Sequence, residues 1–82
     1  MVTRSTRITD AKTLGFLLRE ARQHSGLTQR ELAEVLEVSQ RYIVELERGK
    51  PTKAIERLLS FARETGITLF AEIEPTTRTD ST

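Results

Sequence analysis

The chain has 82 residues, with 13 lysines and arginines against 12 aspartates and glutamates, and no cysteine. That length allows one small domain near the lower limit for an unaided core, and the missing cysteines exclude a disulfide framework or a thiolate metal site, so stability must come from well-formed helices or a partner subunit. A net charge of +1 and a pI near 8.2 are too mild to announce a nucleic-acid binder, while the absence of an apolar signal core or membrane-length apolar run reads as a soluble, cytoplasmic protein.

Residues 1–8 carry no periodic pattern and read as a flexible N-terminal arm. Leu14, Leu17, Leu18 and Ala21 then recur at helical spacing. Thr9 or Asp10 supplies the cap, and the predicted first helix runs from about Asp10 to His24, closing at Ser25-Gly26. Thr28-Gln29-Arg30-Glu31 is a capping box that opens a second helix, with Leu27 and Leu32 suited to a hydrophobic staple around it. Leu32, Ala33 and Leu36 form its apolar face, with Val35 a further candidate. Glu37-Val38-Ser39 leaves room only for a tight turn before Ser39 caps a third helix, whose inner face carries Ile43 and Leu46. Gly49-Lys50-Pro51 ends that helix.

Thr52 caps a predicted fourth helix in which Ile55, Leu58, Leu59 and Ala62 form the inner stripe, with Phe61 beside it. After Gly66 the period changes to two: Ile67, Leu69, Ala71 and Ile73 alternate with Thr68, Phe70, Glu72 and Glu74, which predicts a strand over 67–74. The folded domain is thus expected over 9–74. From Pro75 to Thr82 nothing apolar is available to bury, and a disordered tail is expected.

Two short helices joined by a three- or four-residue turn match the geometry that lays a second helix in the DNA major groove. The residues Gly26-Leu27-Thr28-Gln29, Leu32-Ala33, Val38-Ser39, Ile43, Leu46-Glu47 and Gly49 closely resemble the Cro/repressor-like (XRE) helix-turn-helix family, over roughly Leu14 to Leu59. The resemblance implies a mainly α, lambda-repressor-like domain of four to five helices that binds operator DNA. Gln29 then matches a family glutamine that contacts backbone phosphate. Gln40, Arg41 and Glu45 project from the outer face of the third helix, where their groups suit adenine, guanine and cytosine edges respectively. Ser39 belongs to the same DNA-facing set. Tyr42 either adds a phosphate or thymine-methyl contact or covers the edge of the core. Arg48, Lys50 and Lys53 are expected on phosphates, where they set register without reading sequence. At the family's matching positions an arginine on the first helix pairs with a glutamate ending the third, which implies a structural ion pair between Arg22 and Glu47. Glu37 departs from the family pattern, which has glycine at that left-handed turn position.

A strand alone on a helical domain has unpaired backbone groups along both edges, so it needs a partner. The simplest source is the same strand of a second subunit, antiparallel about a twofold axis, with Ile67, Leu69, Ala71 and Ile73 at the dimer interface. The arrangement, with its Gly66-Ile67-Thr68-Leu69 entry into the strand, is similar to HipB-type antitoxins of bacterial toxin-antitoxin operons. That similarity implies a homodimer that represses its own promoter at an inverted repeat and binds a HipA-like kinase toxin. A stand-alone phage-type or metabolic regulator with no toxin is the alternative.

An enzyme is the other class considered. Its general base would have to be His24, the chain's one histidine, near the end of the first helix where histidine usually serves the helix dipole or the surface. No Gly-rich phosphate loop, metal-ligand cluster or paired-carboxylate motif is present. No catalytic activity, metal or cofactor is expected.

Overall fold

The structure, a computed structural model, describes residues 4–50 and 52–74. In chain order its elements are β1 (Arg4–Ile8), α1 (Ala11–His24), α2 (Gln29–Leu36), α3 (Gln40–Glu47), α4 (Lys53–Thr65) and β2 (Leu69–Ile73). Pro51, the first three residues and the expected tail from 75 to 82 lie outside the described residues.

Every helix begins where a side-chain oxygen quenches a free backbone donor. Asp10 accepts the Thr13 N–H at 2.8 Å, Ser39 that of Tyr42 at 3.0 Å and Thr52 that of Ile55 at 3.3 Å. At α2 the bonds are reciprocal, with Thr28 Oγ1 accepting from the Glu31 N–H at 3.0 Å and Glu31 Oε1 accepting from the Thr28 N–H at 2.9 Å. These caps satisfy donors that a helix cannot satisfy itself. The turn from α2 into α3 passes through Glu37 at φ 60° and ψ 43°, a left-handed conformation that costs a residue with a Cβ roughly 1 kcal/mol or more. The Val38 N–H donates to the Ala33 carbonyl across that turn at 3.0 Å.

The innermost core is small: Leu17 of α1, Ala33 of α2, Ile43 of α3, and Leu59 and Ala62 of α4. Leu58, placed by its spacing on the inner stripe of the fourth helix, is instead 58% exposed. It precedes Leu59 by one residue, hence by about 100° of helix rotation, and α4 turns Ile55, Leu59 and Ala62 inward. Ile67, expected on the buried side of the strand, is likewise exposed and precedes β2.

Gly15 sets how closely α1 meets α3. A Cβ there would stand 2.5 Å from the Leu46 carbonyl oxygen and 2.9 Å from both the Glu47 carbonyl oxygen and the Gly49 nitrogen. Only glycine leaves room for that backbone approach.

The C-terminal strand is not alone. β1 pairs antiparallel with β2 in the register Arg4↔Ile73, Thr6↔Ala71 and Ile8↔Leu69, so residues 4–8, expected to be a flexible arm, form an element. Leu69, Ala71 and Ile73 alternate with exposed Phe70 and Glu72, while Thr6 and Ile8 alternate with exposed Ser5 and Arg7. The half-buried side lies on α1. The physical reason is the one that demanded a partner: strand backbone groups need one, and the chain leading into the Asp10 cap supplies it. The sheet has two strands, so the outer edge of β2 has no partner among the described residues.

Candidate nucleic-acid interface

The framework of the site is a charge network between α1, α2 and α3. Arg22 donates from Nε to Glu47 Oε2 at 2.6 Å, from Nη2 to Glu47 Oε1 at 3.0 Å and from Nη1 to the Leu27 carbonyl at 2.9 Å. Gln29 Nε2 adds a bond to Glu47 Oε1 at 3.0 Å. The two charged side chains are only 10% and 5% exposed. Burial opposes the Glu47 charge, yet the hydrogen bonds from Arg22 and Gln29, with the charges of Arg22 and Arg19, outweigh it and hold the carboxyl below its ordinary value. The same bond to Glu47 raises Arg22 further above its ordinary value. A bidentate guanidinium of this kind fixes the relative position of both helices.

With Ile43 buried and Glu47 tied down, α3 turns its opposite side outward. Gln40, Arg41 and Arg48 are exposed there, with Val44 and Glu45 partly so. Arg41 Nε donates to Glu45 Oε2 at 3.1 Å along the helix. These two base-reading candidates therefore neutralise one another in the free chain. The Arg41 side chain is 85% exposed, and such pairs contribute only about 0.3 to 0.5 kcal/mol, so a base edge can displace one for the other. Ser39 Oγ accepts the Tyr42 N–H, and its hydroxyl hydrogen is left to donate. Tyr42, at the margin of α3, is 37% exposed. Lys50 and Lys53 stand exposed after α3 and at the start of α4.

Nothing in the sequence around Gln29 signals its bond to Glu47, and neither Val44 nor Arg19 stands in a motif that marks it for the site. Val44 sits between Arg41 and Arg48 on the outward side of α3, where a methyl pair suits a thymine methyl. Arg19 lies on α1 and meets this region only through packing: with Arg22, Gln29, Val44, Glu47 and Arg48 it lines a polar cleft of about 310 Å³. Its place on a solvent-facing turn of α1 carried no motif signal. His24 is exposed, donating from Nδ1 to the Glu20 carbonyl at 2.9 Å.

The helix-turn-helix family matches residues 18–70, a span that contains α2, α3, their turn and the Arg22–Glu47 pair. This chain belongs to the helix-turn-helix family. It is similar to the uncharacterized HTH-type transcriptional regulator y4mF of Sinorhizobium fredii, 40% identical over 63 residues that cover 77% of this chain and 83% of that protein. It is also similar to the HTH-type transcriptional regulator DdrOP3 of Deinococcus deserti, 39% identical over 57 residues that cover 70% of this chain and 44% of the relative. No solved structure matches. The family is one of DNA-binding regulators, and no helix among the described residues is long and apolar enough to cross a membrane.

Proposed function

We propose that this chain is a sequence-specific transcriptional regulator that reads double-stranded DNA with α3 and represses the promoter it occupies. The supporting observation is the division of α3 into a fixed inner side, with Ile43 buried and Glu47 held by two partners, and an outer side where Gln40, Arg41, Val44 and Glu45 meet solvent. Rigid helices of this kind present side chains to base edges in the major groove. Selection from a randomised duplex pool, followed by fluorescence anisotropy on the winning site, tests it. A shared consensus that binds at least a thousandfold more tightly than random duplex supports the reading; binding without preference overturns it.

The regulator acts as a homodimer. The outer edge of β2 accepts the same strand of a second copy about a twofold axis, which extends the sheet to four strands and puts Leu69, Ala71 and Ile73 at the joint with Ile67 beside them. The operator is then an inverted repeat with half-sites about 34 to 36 Å apart or a multiple of it. Sedimentation equilibrium at micromolar concentration is expected to return a dimer mass.

The finer role is that of a HipB-type antitoxin that restrains a HipA-like kinase toxin and represses their shared operon. It rests on strand position and the Gly66-Ile67-Thr68-Leu69 entry. Co-expression with the product of an adjacent kinase-like reading frame should give a complex that survives gel filtration. A second reading, a regulator with no toxin, is favoured by the relatives, which carry only the description of transcriptional regulators.

A further inference from the structure

Arg19 and Arg48 reach the same concave polar surface from different elements, the first from α1 and the second from the end of α3. Among the described residues neither side chain has a hydrogen bond or ion pair, in contrast to Arg22, Arg30, Arg41 and Arg63. The cleft's carboxylate cannot serve them well. Glu47 already accepts three bonds, two from Arg22 and one from Gln29, and its side chain is 5% exposed. A carboxylate has about four acceptor positions, so one at most remains. The cleft thus holds three guanidiniums against one nearly saturated carboxylate, an excess of two positive charges on a concave wall that concentrates the field at its mouth. Val44 and Arg48 belong to the outward side of α3, so the cleft opens beside the proposed recognition surface.

We propose that this cleft is the seat of one DNA backbone phosphodiester, clamped by Arg19 and Arg48 together, with Glu47 as the tether that holds the Gln29 amide at its edge. The inference rests on the DNA-binding reading and adds a residue, Arg19, and a stoichiometry, two arginines on one phosphate. The chemistry fits because a phosphodiester offers two unesterified oxygens and planar guanidiniums bind such oxygens in fork geometry. A bond from Gln29 Nε2 to Glu47 spends one amide hydrogen and leaves the other for a phosphate oxygen. The seat carries no sequence information; it fixes the height and tilt at which α3 enters the groove.

The test uses the full chain and its selected duplex, with Arg19→Gln, Arg48→Gln and the double variant. Both arginines are exposed, and thermal melts verify that each variant stays folded. Arg19→Gln is expected to weaken the selected site and random duplex alike, by roughly tenfold, as loss of a charge-assisted bond does. The slope of log Kobs against log salt counts phosphates neutralised, at about 0.9 for each. Removing both arginines should therefore lower the slope by about one phosphate. A fall equivalent to two overturns the shared seat, and an Arg19→Gln variant that binds both duplexes as tightly as the wild type overturns the role of Arg19. Neutralising duplex phosphates one at a time as methylphosphonates should expose one position per half-site that weakens the wild-type protein but leaves the double variant unaffected; no such position also overturns the seat. Inorganic phosphate titrated against the Arg19 and Gln29 side-chain N–H resonances separates the sources of the anion: binding far weaker than that of duplex supports the backbone phosphate, and saturation at micromolar phosphate overturns it. A wild-type protein that binds no duplex at all overturns the DNA-binding reading itself, whereas the other negative results leave that reading standing.

Discussion

The two halves of this small domain are held together by different means. Around α1, α2 and α3 the backbone touches directly at Gly15, a charge network spans three helices, and the outer side of α3 is largely polar, although Phe16, Val35 and Leu36 elsewhere in this half are more than half exposed. α4 instead meets α1 at few points, and large apolar groups from α4 through β2 remain outside: Leu58, Phe61, Ile67 and Phe70 are all more than half exposed. All three phenylalanines of the chain, Phe16 included, lie on the surface, although aromatic rings are the side chains with the most area to bury. The difference assigns rigidity to the half that has to present side chains at fixed positions. It leaves the other half with apolar area and a strand edge that only association can cover, consistent with the proposed homodimer.

Breaking the network should have the largest effect. Arg22→Ala leaves Glu47 buried without its bidentate partner, a change that costs roughly 3 to 5 kcal/mol in such sites, readable as a lowered midpoint in urea denaturation. The same pair gives a pH signature. Because the folded Glu47 carboxyl lies below its ordinary 4.5, its contribution is complete above that value and is lost as pH falls through the folded value. Glu47→Gln should therefore flatten the decline in stability below pH 4.5, measured by denaturation across pH 2 to 7.

Gly15→Ala probes the backbone contact in the same half. The new methyl group would meet carbonyl oxygens and cannot be relieved by a side-chain rotation, so a loss of about 3 kcal/mol, the upper end for overpacking, is expected in thermal or urea melts. Operator affinity should fall with it, since α3 would be displaced.

Two neighbours on α4 sharpen the contrast. Leu59→Ala, at a site 6% exposed, should cost about 2 to 5 kcal/mol. Leu58→Ala, one residue earlier, should change the stability of the monomer by no more than about 0.5 kcal/mol. Urea melts at submicromolar concentration make the comparison; equal losses would mean that α4 packs with a different face inward.

A gain in stability is expected in the turn. Glu37→Gly relieves the left-handed strain at φ 60° and should stabilise the protein by about 1 kcal/mol, part of which is offset by the added freedom of the unfolded chain. A raised melting temperature with unchanged base preference is the expected result.

Much of this was written in short stretches of sequence. Capping oxygens at Asp10, Thr28, Ser39 and Thr52, with apolar residues three and four apart, place the four helices, because a helix end and a helix face are decided by neighbours within one or two turns. The exposed side of α3 was legible for the same reason: once Ile43 points inward, Arg41 and Arg48 point out. Tertiary structure alone decided the rest. The spacing of Leu58 fits an inner stripe as well as that of Leu59, and the packing of α4 chose between them. Residues 4–8 carry almost no apolar pattern, and they become a strand because β2, more than sixty residues away, needs its backbone groups paired. Arg19, Gln29 and Arg48 share no motif, yet the Gly15 contact and the Arg22–Glu47 pair bring three helices close enough to set them around one cleft. Local preferences cannot encode such meetings, which depend on how closely separate elements can approach and on which charges find partners when they do.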